Sequence, residues 1–311
     1  FNVMIWSNLP QASGLSSSSA LVCASAVATH LLLCSTGPEQ QPKLDSKQIA
    51  EDCSNYERLT GTHGGGMDQA VIMTAHDNFA KYVEFMPRLV CNDVELPGDV
   101  VWLISHCGTD YPKAATAGFN SRVLETKLGA AIIVKVLSNG TSNIALDKTI
   151  SLGKVKRSLL ANKSVDSIVS LLKESVFPKD VFYLDEICSA LELSEIDLLN
   201  KFNTTKSFLD ENFQNGFLLR RRCEHVFEEA ERVQKFKAIC DTTKDCKILG
   251  DLMTQSHYSL RDKYDCSHEA LDRLVDISLK SGALGARVTG AGWGGCIITL
   301  VKIDKCQIVL D

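Results

Sequence analysis

What the 311-residue sequence lacks already excludes several chemistries. Its seven histidines form no H-E-x-x-H pattern and its twelve cysteines no C-x-x-C pair, so no zinc site is expected. The cysteines stand singly, as at Cys23, Cys53, Cys107, Cys188 and Cys296. That is the pattern of reduced thiols in a cytoplasmic protein, not of a disulfide framework. There is no basic surplus: the formal net charge is −5, which gives no field for nucleic acid. No run is apolar and long enough to cross a bilayer. The longest, Ala20 to Cys34, is interrupted by Ser25, Thr29 and His30. Phe1-Asn2-Val3-Met4 carries no charged leader, so no signal peptide is expected. The Walker A pattern is missing too, because Gly153-Lys154 is followed by Val155.

What is present is an ordinary globular chain long enough for about two domains. Phe1 to Trp6 reads as a strand, broken by the run from Asn8 to Gly14. Four serines, Ser16 to Ser19, should cap an apolar helix reaching Leu33. Asp45 or Ser46 caps a second helix, with Ile49, Cys53 and Tyr56 on one face and Gly61 as its end. A strand is expected through Val71-Ile72-Met73, with Asp77-Asn78 as a hairpin turn into residues 79–85. Further strands fit 89–96 and 100–105, and helices fit 120–137, 165–174, 185–191, 194–202, 217–240, 248–258 and 268–280. The chain closes with Arg287-Val288-Thr289, a glycine turn and a strand over 296–301. Strands mixed with helix pairs, without regular βαβ alternation, indicate an α+β fold.

Three segments could carry chemistry. Leu9 to Ala20 sets a glycine beside a serine run at a helix start. Unpaired N–H groups and the helix dipole suit a phosphate chain there, and hydroxyls can meet phosphate or Mg²⁺; a capped helix after a turn explains the same residues. Gly61-Thr62-His63-Gly64-Gly65-Gly66-Met67-Asp68-Gln69 places an acid after three glycines, either a reacting carboxylate or a solvated loop residue. Thr289-Gly290-Ala291-Gly292-Trp293-Gly294-Gly295 satisfies G-x-G-x-x-G, but a strand follows where a dinucleotide fold needs a helix. A glycine turn between two strands fits better.

In this order the three segments resemble the GHMP kinases. Pro10-x-x-x-Gly14-Leu15-Ser16-Ser17-Ser18 is similar to the family's ATP signature, and Gly66-Met67-Asp68-Gln69 to the catalytic loop of its galactokinase branch. Thr289 to Gly295 is similar to the C-terminal glycine loop, and residues 256–264 also resemble a galactokinase segment. The resemblance implies a ribosomal-protein-S5-like N-terminal domain, partly missing, over 1–115. It implies a ferredoxin-like C-terminal domain over 116–311, with a helical insertion at about 150–215. It further implies an ATP- and Mg²⁺-dependent kinase acting on the C1 hydroxyl of N-acetylgalactosamine or galactose. The glycine triplet and Phe119, where galactokinases typically carry tyrosine, favour N-acetylgalactosamine.

Carried over by position, Ala12, Ser13, Gly14, Leu15, Ser16, Ser17 and Ser18 would wrap the ATP phosphates, and Gly290, Ala291 and Gly292 would close over them. Ser18 and Glu57 would ligate Mg²⁺. Asp68 would act on the sugar hydroxyl, and Gly65 and Phe119 would line the sugar. The implied protein is a cytoplasmic monomer with a sugar and ATP as its only partners, and neither nucleic acid nor membrane among them. The family's first motif, which precedes the ATP signature, finds no match, which implies an incomplete sugar pocket and little activity for this stretch alone. Alternatives are a galactokinase-like sensor without turnover and a GHMP kinase for a non-sugar alcohol.

Overall fold

Serine and aspartate caps set the first helices. In the computed structural model, which describes residues 2–34, 44–59, 64–85, 88–111, 117–138 and 141–310, the serine run starts α1, Ser17–Cys34. The Ala20 N–H closes its first turn on the Ser16 carbonyl at 2.9 Å. Asp45 caps α2, Ser46–Arg58, accepting from the N–H groups of Lys47 and Gln48 at 3.1 Å each. The buried stripe of α2 is Ala50, Cys53 and Ser54; Tyr56, expected on that face, is 63% exposed. The expected loop at 37–42 and the Gly61 cap lie outside the described residues.

Residues 67–74 correct the sequence reading. Instead of a strand they form a helix, α3, Met67–Thr74. Gly66 enters it at φ 92°, a left-handed conformation that glycine adopts without strain. Burial of Gln69 and Ala70 against neighbouring helices outweighs the strand preference of Val71 and Ile72. Asp77-Asn78 therefore joins a helix to a strand and is no hairpin. Residues 2–6 join no ladder among the described residues, so the expected first strand is absent there.

The chain divides into two compact units. The first comprises residues 1–116, 235–257 and 266–311. Its β1, Phe79–Glu84, pairs antiparallel with β2, Val90–Glu95. A second antiparallel sheet has the order β3-β5-β4, with β3 Val100–His106, β4 Gly285–Val288 and β5 Cys296–Lys302. β5, the last of these in sequence, is therefore central, with Ile298 opposite both Ile104 and Arg287. Val94, Val100, Leu249, Met253 and Leu300 form one apolar core of this unit.

The second unit, residues 117–234 and 258–265, is helical. α4, Gly118–Ser138, buries Leu128, Ile132 and Ile133 at its centre. Around it lie α5, Leu152–Leu159; α6, Val165–Leu171; α7, Leu184–Leu191; α8, Glu195–Phe202; and α9, Lys206–Asn212. Ser151, Ser164, Ser194 and Thr205 each cap one of these helices through a side-chain oxygen. α10, Leu219–Asp241, contributes residues to both units, and α11 (Cys246–Ser259), α12 (Glu269–Lys280) and a short α13 (Cys306–Leu310) follow. The second unit also holds a buried charge network. Glu125, 1% exposed, accepts from Arg122 at 2.6 Å, from Arg222 at 2.9 Å and from the Leu218 N–H at 2.9 Å. Arg222 also donates to the Lys263 carbonyl at 2.6 Å and to Asp265 at 3.2 Å.

Candidate active site

The loop before α1 carries three positive backbone angles within five residues: Ala12 at φ 53°, Gly14 at 77° and Ser16 at 58°. For Ala12 and Ser16 the left-handed region costs about 1–2 kcal/mol each, so the surrounding structure must hold them there. Backbone of mixed handedness at a helix start turns N–H groups toward a common concavity, an arrangement that binds anions. The loop is held from two sides. The Ser13 hydroxyl donates to the Pro10 carbonyl at 2.8 Å, and the Ser13 carbonyl accepts from the Cys296 N–H at 2.9 Å. The Ala12 carbonyl accepts from the Tyr111 N–H at 3.1 Å.

The glycine turn between β4 and β5 rests directly on this loop. Gly290 takes φ 73°, and a Cβ there would lie 2.5 Å from the Gly14 Cα. Backbone meets backbone, so neither position has room for a side chain. Gly292, at φ 89°, is as closely packed on the Cys266 carbonyl, and Ala291 lies half-buried between the two glycines. Trp293, left-handed at φ 57°, stacks on Tyr111 with ring centroids 5.1 Å apart.

The carboxylate expected to ligate metal joins the serine helix. Ser18 donates to Glu57 Oε1 at 2.7 Å, and Ser19 to Glu57 Oε2 at 2.9 Å. Gln69, buried on the first turn of α3, donates through Nε2 to Glu57 Oε2 and to Ser19 Oγ, the latter at 3.2 Å. Gln69 directly follows Asp68, so the half-buried acid sits on the same turn that grips Glu57. Beneath this cluster, one turn along α1 and α2, lie Cys23 and Cys53. Burial pushes the Cys23 thiol up to about 12, with the neighbouring Cys53 and Glu57 adding to the effect. Burial also raises Cys53. Both side chains are fully buried, and burial favours the protonated thiols.

The expected residues thus fall into three groups. Ala12 to Ser18, Glu57, Asp68 and Gly290 to Gly292 belong to the first unit. The seven residues from Ala12 to Ser18, Leu15 and Ser17 included, run without a break into the hydroxyls that meet Glu57. Gly65, exposed, lines a cavity of about 240 Å³ with Ser54, Asn55 and Phe85. Phe119, on the first turn of α4, belongs to the second unit. Sequence reasoning missed Ser19 and Gln69. Their signals were adjacency to Ser18 and Asp68, because successive helical residues point about 100° apart and the inward neighbour can brace the outward one. Among the described residues no group of three or more His, Cys, Asp or Glu could hold a metal alone. Ser18 and Glu57 do supply two hard oxygens at one point, which fits Mg²⁺ sharing its remaining positions with phosphate and water.

Comparison with known proteins decides the family. The GHMP kinases N terminal domain matches residues 1–76, and the GHMP kinases C terminal domain matches residues 235–305. A galactokinase of Dictyostelium discoideum is 32% identical over 100% of this chain. The chain belongs to the GHMP kinases. This GHMP kinase chain is also 28% identical, over 94% of its length, to a galactokinase of Saccharomyces cerevisiae. It spans 62% and 60% of the lengths of these two relatives. Its fold matches that of Lactococcus lactis galactokinase complexed with galactose at a TM-score of 0.66 and 22% identity, covering 97% of this chain and 61% of that one. That match agrees with the mixed helix and strand architecture described above.

Proposed function

We propose that the protein is an ATP-dependent sugar kinase that phosphorylates the C1 hydroxyl of galactose or N-acetylgalactosamine. The observation that carries this reading is the hydrogen-bonded chain from Ser18 and Ser19 through Glu57 to Gln69, the neighbour of Asp68. It joins the Ser18 and Ser19 hydroxyls to the turn that carries Asp68. The curated relatives named as galactokinases support a hexose acceptor. Phe119 and the glycines at 64–66 favour N-acetylgalactosamine.

In this reading the N–H groups of Ala12 to Ser18 hold the phosphate chain, and Gly290 to Gly292 close over it. Ser18 and Glu57 would hold Mg²⁺, which when bound offsets charge on the phosphate oxygens. Asp68 orients the sugar hydroxyl. A carboxylate is too weak a base to deprotonate a sugar hydroxyl in the ground state, so the proton moves late, as the loose transition state forms. Most of the acceleration then comes from placing acceptor and phosphate in line. Gly65 contributes to the sugar side.

Asp68→Asn tests the assignment. It should keep ATP affinity in calorimetry and lose most turnover in a coupled ADP-release assay with each sugar. Near-normal turnover would remove Asp68 from the reaction. Sugar and ATP binding without turnover in the unaltered protein would make it a sensor. Preference for mevalonate or homoserine over both sugars would overturn the acceptor class.

A further inference from the structure

Gln69 is 5% exposed, and its carboxamide nitrogen makes two hydrogen bonds, to Glu57 Oε2 and Ser19 Oγ. That uses both of its N–H groups. Ser19, 4% exposed, donates in turn to the same Oε2. The three side chains close a triangle on one carboxylate oxygen. The other oxygen, Oε1, meets the exposed hydroxyl of Ser18. A hydroxyl can rotate its proton away and offer a lone pair, whereas a carboxamide N–H can only donate. The two halves of the carboxylate therefore differ in kind: one is anchored by donors from two buried side chains, the other faces a switchable partner.

We propose that Gln69, assisted by Ser19, is a positioning residue that fixes the Glu57 carboxylate so that it meets a divalent cation through Oε1 alone, beside Ser18. The proposal rests on the kinase reading above and adds how the ion's carboxylate is oriented. Without the anchor on Oε2 the carboxylate rotates about its terminal bond, and the angle between Oε1 and the Ser18 hydroxyl is lost. Partners that orient a metal ligand typically change affinity by about 10–100-fold. Because Gln69 also lies next to Asp68, it fixes the ion's carboxylate and the acid in a common register.

Manganese supplies a direct probe. Mn²⁺ is titrated by electron paramagnetic resonance into the protein saturated with ADP, alongside calorimetry of ADP without metal and thermal unfolding. Gln69→Met keeps the length and removes the donor. It should raise the Mn²⁺ dissociation constant about tenfold and leave metal-free ADP affinity within twofold. Ser19→Ala, which strips the same oxygen from the other side and changes volume little, should shift Mn²⁺ binding the same way. A folded variant of either kind with unaltered Mn²⁺ affinity overturns the proposal. So does a Gln69→Met protein in which melting temperature and all affinities fall together, the signature of a buried filler. Glu57→Gln separates the two levels. If it weakens Mn²⁺ while Gln69→Met does not, only the positioning role fails. If neither it nor the unaltered protein shows nucleotide-dependent Mn²⁺ binding, the kinase reading fails with it.

Discussion

Replacing Gly290 by alanine tests whether the glycine turn and the serine loop must touch. The new Cβ would lie 2.5 Å from both the Cα and the carbonyl oxygen of Gly14. Ordinary contact begins at about 3.4 Å, so the two backbones must part by nearly 1 Å; no flexible side chain is there to yield. Gly290 also sits at φ 73°, where an L-residue costs about 1–2 kcal/mol more. A displacement of about 1 Å in a positioning loop can lower the rate about 10²-fold, equivalent to about 2.7 kcal/mol. The assay is kcat/KM for ATP at saturating sugar, by coupled ADP release. Gly98→Ala is the control, since a Cβ there meets nothing within 4 Å. Gly290→Ala with kcat/KM within about threefold of the control would refute the claim that this contact sets the phosphate site.

The buried charge network makes a stability prediction. Glu125→Ala removes the buried carboxylate that Arg222, 2% exposed, shares with Arg122 and the Leu218 N–H, and should cost about 3–5 kcal/mol in urea unfolding. Glu125→Leu combined with Arg222→Met should recover only part of it, because Arg122 and the Leu218 N–H also lose their acceptor. Cys23 and Cys53, buried and held as thiols, should not react with a thiol-specific disulfide reagent at pH 8 until the protein is unfolded. Above about pH 9 the unfolded chain loses thiol protons that the folded one keeps, so stability should fall as pH rises toward the folded values of about 11 for Cys240 and about 12 for Cys23. Urea midpoints at pH 7, 9 and 10.5 check this, and Cys23→Ala should flatten the decline.

Much of the local structure was legible in the residues themselves. Asp45 as a cap, the serine run as a helix start and the glycine turn between two strands are local chemistry, and each appears as expected. The error at 67–74 shows where local reading stops. Val71-Ile72-Met73 has strand character, but the left-handed Gly66 and the packing of Gln69 against Glu57 and Ser19 come from distant residues. The short helices α5 and α9 were also missed. Each is capped by one hydroxyl, Ser151 and Thr205. Asp68 could be chosen because an acid follows three glycines. Gln69 could not, because its function lies in two hydrogen bonds to segments over ten and fifty residues away.

The contact between Gly14 and Gly290 joins nearly the first and nearly the last parts of this sequence, and β5, which anchors Ser13, is the innermost strand of its sheet. During synthesis, then, the loop from Ala12 to Ser16 lacks its contacts with Gly290 and Cys296 until β5 leaves the ribosome, roughly 15–60 s later at ordinary elongation rates. The loop before α1 should therefore complete its shape later than the helical unit, whose caps and core lie mostly within one continuous stretch.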